Sequence, residues 1–192
     1  MEILTTLLRL TARLASRREA AALAALWLTW TPVAAVAAQS EEYAVKAAYL
    51  SKFGIYVEWP RKAFSSANSA INLCVVEDDP FGSTLDEVVR GQRIGERAIV
   101  LRRLQDVTRD SGCHILYIGD SQRTSQIIES LRRSGVLTVT DTRGTRGSMG
   151  IINFVLKDNR VRFDIDDAAA EKNGLVISSK LLSLALNVKQ RR

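Results

Sequence analysis

Strand-length apolar runs alternate with helix-type segments along most of this 192-residue chain. Four runs have the length and composition of buried strands: Ile71–Val76, Ala98–Leu101, Cys113–Ile118 and Val136–Thr140. Parallel strands need a long crossover connection, usually a helix, and such helices cover both faces of the sheet. The alternation therefore predicts an α/β fold, a three-layer sandwich whose sheet is mostly parallel.

Turn and cap residues place the remaining elements. Residues 42–57 carry a broad apolar stripe that predicts an opening helix, ended by Trp59-Pro60. Four later helices are expected, over residues 79–91, 121–135, 166–174 and 179–186. They begin at Asp79 with Pro80, at Ser121, at Asp166 or Asp167, and at Ser179. Asp158-Asn159 separates two segments of period two, which predicts an antiparallel hairpin near the C-terminal end.

Residues 1–38 have the order of a secretory signal peptide. Four arginines precede an apolar run over residues 20–30, and Pro32 leads into small residues ending at Ala38. We expect cleavage before Gln39, so that residues 39–192 form a single domain. An uncleaved membrane anchor is the alternative, because residues 20–38 approach spanning length.

Composition excludes several classes of site. The chain has one His and two Cys, too few for the common histidine or cysteine zinc sites, and we expect no metal and no cofactor. Its net charge is +6, with dispersed bases rather than a basic stripe, which argues against a nucleic-acid partner. Because export places the chain in an oxidising compartment, it favours a structural disulfide between Cys74 and Cys113. A redox-sensing pair is the alternative.

No catalytic set emerges from the remaining candidates. His114 follows Cys113 within a predicted strand, so their side chains point to opposite faces and cannot act as a pair. Residues 77–79 are acidic, but such a run most simply forms a solvated turn with Asp79 capping a helix. The sequence therefore predicts a protein that is not an enzyme.

Two further features leave alternatives open. The loop 143–150 is rich in glycine and carries Arg143 and Arg146, but it matches no phosphate-binding motif and a predicted strand follows it. It is expected to be a flexible connection, with anion or partner contact as the alternative. The opening helix carries an aromatic cluster that suits core packing, although part of it could be left for self-association or a partner. Its members are Tyr49, Phe53, Tyr56 and Trp59.

Several segments taken in order resemble the YfiR family of periplasmic proteins. The resemblance covers about residues 42–188, and the segments that carry it are Tyr43–Phe53, Tyr56–Pro60, Leu73–Gly82, Cys113–Ile118, Gly150–Val155, Arg160–Phe163 and Gly174–Leu182. It implies a periplasmic protein that represses a membrane-bound diguanylate cyclase by binding its periplasmic sensing region. Through that cyclase the protein would control the cyclic-di-GMP level and biofilm formation.

The same resemblance implies further partners and a site. An outer-membrane lipoprotein of the OmpA-like type would sequester the protein, and a homodimer is expected. Cys74 and Cys113 occupy the positions of a cysteine pair in the family, while cysteines near the glycine-rich loop are missing here. The alternative function is a periplasmic accessory protein of a sensory system that binds a small ligand at the carboxyl ends of the strands.

Overall fold

A computed structural model describes residues 33–66, 68–141 and 149–191. The contacts of the chain divide it between Gln39 and Ser40, and the domain described below is residues 40–191. Most of the predicted signal peptide, residues 1–32, lies outside the described residues, as does most of the glycine-rich loop.

The described residues contain five α-helices and ten strands. The helices are α1 (Val33–Phe53), α2 (Ser83–Val89), α3 (Thr124–Ser130), α4 (Asp167–Lys172) and α5 (Ser179–Leu182). The strands are β1 (Val57–Glu58), β2 (Ile71–Val76), β3 (Arg93–Ile94), β4 (Arg97–Leu104), β5 (Ile115–Ile118), β6 (Leu137–Asp141), β7 (Ile152–Lys157), β8 (Arg160–Asp166), β9 (Val176–Ile177) and β10 (Val188–Lys189).

Eight of these strands form one sheet in the order β10-β8-β7-β6-β5-β2-β4-β3. Adjacent strands in this sheet are parallel, except for the β7–β8 hairpin and the β3–β4 edge pair, which are antiparallel. Strands β1 and β9 form a separate antiparallel pair. The predicted three-layer α/β sandwich, with a mostly parallel sheet and a C-terminal hairpin, is therefore confirmed.

The core lies on both faces of the sheet. On one face, α1 and α2 pack Leu50, Phe53 and Leu85 against strand residues such as Leu73 and Phe154. On the other face α3 covers a smaller cluster, whose buried members are Cys74, Val76, Cys113, Leu116, Ile118, Ile127, Leu131 and Val136. Because side chains alternate along each strand, β2 and β5 contribute to both clusters.

The hairpin and the α4 cap follow their sequence signals. Asp158 and Asn159 both have positive φ angles, of 50° and 55°, as a tight hairpin turn requires. Asp166 caps α4, because its carboxylate accepts a hydrogen bond from the Ala169 backbone N–H at 2.8 Å.

Two predicted helix starts were wrong. The Asp79 carboxylate accepts from the backbone N–H of Phe81 in a turn, and α2 begins only at Ser83. Ser121 likewise accepts from Arg123 three residues before α3. The last helix begins at Ser179 as predicted, with Ser178 as its cap, but it ends at Leu182 rather than at residue 186. In the two wrong cases the short polar side chain accepts a hydrogen bond within a turn and not at the helix N-terminus. Asp and Ser form both arrangements, so the residue type alone does not distinguish them.

Candidate functional site

The strands β2 and β5 end side by side, and the chain then turns to opposite faces of the sheet. Residues from α2 belong to one core cluster and residues from α3 to the other. Such a topological switch point is where open α/β sheets bind small ligands. Here Gly119, after β5, packs directly on the backbone after β2: a Cβ atom on Gly119 would lie 1.9 Å from the carbonyl oxygen of Asp78. The usual ligand crevice is therefore closed between these two loops.

Arginines also hold the acidic turn at this edge. Arg123 donates to Glu77 through Nε at 2.8 Å and to Asp106 at 3.0 Å. Arg103 donates through Nε to Asp79 at 2.7 Å and lies 2.7 Å from Asp86. Glu77 and Asp79 are thus paired with cations of the chain itself.

The Arg103 pair also shifts the titration of its partner. The hydrogen bond from Arg103, together with its positive charge, lowers the pKa of the exposed Asp86 carboxyl below its ordinary value. Within the described residues no group of three or more His, Cys, Asp or Glu side chains is placed to hold a metal ion.

A buried charge on α1 lies at the same end of the sheet. Lys46 is 1% exposed, and its ammonium forms ion pairs with Glu42 at 2.5 Å and with Asp141 at the end of β6. The ammonium also lies 4.7 Å from the centroid of the Tyr43 ring, close enough for a cation–π contact. The sequence analysis did not single out Lys46, although its place within the apolar stripe, four residues after a Glu, was visible.

Cys74 and Cys113 are bonded to each other in the structure, with their Cα atoms 5.8 Å apart. Cys74 lies within β2, and Cys113 lies just before the neighbouring β5. Both side chains are buried beneath α3 among apolar residues. This burial gives the pair the surroundings of a structural bridge.

His114 is held by backbone groups on both ring nitrogens. The Asn72 N–H donates to Nδ1 at 3.0 Å, so Nε2 carries the proton and donates to the Ala63 carbonyl at 3.0 Å. The ring stacks on Phe64 with centroids 4.5 Å apart. Burial lowers the pKa of His114, so the neutral ring is the stable form. His114 is therefore a structural residue that joins β2, β5 and the segment after Pro60.

The aromatic cluster of the opening helix divides between two environments. Tyr49 and Phe53 stack on each other and contact the rings of Phe154 and Phe163 on the hairpin strands. Trp59 instead contacts His114 edge-on at 6.4 Å. Core packing accounts for these contacts. Ile55, in the same segment of the chain, is an apolar side chain that stays exposed, at 55%.

The geometry defines an α/β domain whose customary ligand crevice is filled and whose sole His is structural. No helix among the described residues has the length and hydropathy needed to cross a bilayer. The chain belongs to the YfiR/HmsC-like family, whose model matches residues 43–186. No curated protein matches the chain. At the level of the family, membership supports a periplasmic regulator of diguanylate cyclases.

Proposed function

We propose that this protein represses a membrane-bound diguanylate cyclase by binding the cyclase's periplasmic sensing region. The observation that carries the proposal is family membership over residues 43–186, nearly all of the domain. The closed switch point between Gly119 and Asp78 supports the choice of a regulator over a small-ligand-binding accessory protein, which would need that crevice.

Repression of this kind needs no chemistry from the repressor. A protein that binds the inactive cyclase more tightly than the active form lowers the active population by its difference in affinity. The engaged His114 and the paired acidic turn at Glu77 and Asp79 agree with a role in binding rather than catalysis.

The proposal includes export to the periplasm. Residues 1–38 would be removed as a signal peptide, and the oxidising compartment would maintain the Cys74–Cys113 bridge. N-terminal sequencing of the periplasmic protein should begin at Gln39, whereas a chain that retains its N-terminus in the membrane fraction would indicate an anchor. A homodimer and sequestration by an OmpA-like outer-membrane lipoprotein belong to the same proposal.

Intracellular cyclic-di-GMP provides the direct test. Deletion of the gene should raise the cyclic-di-GMP concentration several-fold, and complementation with the full chain should reverse the rise. A second strain that lacks both the protein and its candidate cyclase should show no rise, which assigns the effect to that enzyme. An unchanged concentration on deletion, under conditions in which the protein is expressed, would contradict the proposal.

A further inference from the structure

An open groove of about 630 Å³ lies between α3 and α4, far larger than a single small anion needs. Apolar side chains line part of it: Ile128 and Ala169 are half-buried, whereas Leu131 and Ile151 are almost fully buried. Met149 at its margin is 59% exposed. Methionine is common at surfaces that adapt to a partner, because its side chain is flexible and polarizable.

Positive charge dominates the rim of this groove. Four cations line it, Arg132, Arg133, Lys172 and Lys189, against the two carboxylates of Glu129 and Asp166. Each carboxylate is paired with one cation: Glu129 with Arg132 at 2.7 Å, and Asp166 with Lys189 at 2.7 Å. Among the described residues, Arg133 and Lys172 are left with no ion pair, so the groove presents two uncompensated cations.

The chain itself offers no matching occupant. Its undescribed internal segment, residues 142–148, contains Arg143 and Arg146 and no acid, and residues 1–32 contain more arginines than acids. A second copy also carries a net positive charge, since the whole chain is at +6. A small inorganic anion would satisfy the cations but leave the exposed Met149 and the half-buried Ile128 uncovered. Charge complementarity therefore favours an acidic segment of another protein.

We propose that this groove, defined by Arg133, Lys172 and the apolar residues between them, docks an acidic segment of the partner protein that also carries an apolar side chain. The inference rests on the proposed function and adds to it the face and the chemistry of the contact. The carboxylates would meet Arg133 and Lys172, and the apolar side chain would cover Ile128 and Met149. Opposed charges at such a rim steer association and fix the register of the bound segment.

Complementation of the deletion strain tests this face. One variant carries Arg133→Glu and Lys172→Glu. The matched control carries Lys157→Glu and Arg160→Glu, which makes the same charge change at two exposed residues that face each other across the β7–β8 turn. A third variant, Arg133→Lys with Lys172→Arg, keeps the charge. Periplasmic protein is measured by immunoblot, and the melting temperature of each purified variant is compared with that of wild type.

We expect the charge-reversed groove variant to be folded but unable to hold cyclic-di-GMP down, while the control and charge-conserving variants repress as wild type does. The affinity of the charge-reversed groove variant for the purified periplasmic region of the cyclase should fall by roughly tenfold or more, because close charge pairs at the interface would be lost.

Other outcomes separate the two proposals. If deletion itself leaves cyclic-di-GMP unchanged, the proposed function fails and this inference fails with it. If deletion raises cyclic-di-GMP and the groove variant represses fully, the function stands and the docking face is wrong. If the groove variant represses fully and loses only a thermal stabilisation that wild type gains from inorganic phosphate or succinate, the groove is a small-anion site and the inference is overturned.

Discussion

The ammonium of Lys46 on α1 and the carboxylate of Asp141 at the end of β6 form a buried ion pair across 95 residues of sequence. Glu42, one helical turn before Lys46, bonds the same ammonium. One cation thus pairs with two carboxylates that are each less than a tenth exposed. The pair fastens the opening helix to the carboxyl end of the sheet.

Replacing Lys46 by Met should destabilise the domain by about 3–5 kcal/mol, because it removes a buried cation that is paired with two buried carboxylates. Urea denaturation measures the loss. Lys52→Met is the matched control on the same helix, since Lys52 is exposed, and we expect a change within about 0.5 kcal/mol for it. Equal losses in the two variants would show that the buried ion pair has no special weight in stability.

The pair Cys74–Cys113 is expected to be oxidised in protein recovered from the periplasm. Unreduced protein should then have an intact mass lower by two hydrogens than the reduced chain. The double variant Cys74→Ala with Cys113→Ala should lose about 2–5 kcal/mol of stability, the usual range for removal of a native bridge from a small exported domain.

Reductant supplies the control for this prediction. It should lower the melting temperature of wild type and leave that of the double alanine variant unchanged. Two free thiols in the unreduced protein would contradict the pairing. A wild type that is oxidised yet insensitive to reductant would show that the bridge has no role in stability.

His114 should make the stability of the domain depend on pH. Burial lowers its pKa in the folded state, against a hydrogen bond to Ala63 that acts in the opposite direction, while the positive charge of Arg97 lowers it further. The unfolded chain therefore takes up the proton first as the pH falls. The stability that the neutral ring contributes is fully present above about pH 6.5 and is lost as the pH falls through the folded-state pKa.

Urea midpoints between about pH 7.5 and about pH 5 measure this effect. The variant His114→Gln cannot titrate in that window, so its midpoint should fall less than that of wild type. Parallel pH profiles for the two proteins would mean that other groups account for the dependence.

The sequence predicted those elements whose signals are local. Asp158-Asn159 specifies a tight turn by its own conformational preference, and the apolar run Ile71–Val76 specifies a buried strand by its composition. The two-residue strands were missed because such short segments have no detectable alternation. Strand β10, for example, is defined only by its pairing with β8.

The site depended on contacts between distant segments, and this limited its prediction. The partner of Lys46 lies at Asp141, and no local pattern joins the two residues. Closure of the switch point likewise requires knowing that the loops after β2 and β5 touch, which depends on strand order. The groove between α3 and α4 combines cations that are about 40 residues apart in the chain, so the sequence showed them only as dispersed charge.

Gly119 offers a direct test of the closed switch point. A methyl group there would meet the Asp78 carbonyl carbon at 2.7 Å and its oxygen at 1.9 Å, so the variant Gly119→Ala must displace the backbone of one loop. We expect it to lose about 1–3 kcal/mol of stability, the range for forced overpacking. Gly95→Ala is the comparison, because its added Cβ has open space and only the positive φ of 57° opposes it. Urea denaturation of both variants should show the larger loss for Gly119→Ala. If Gly119→Ala is as stable as wild type, the two loops yield easily and the crevice can open for a ligand.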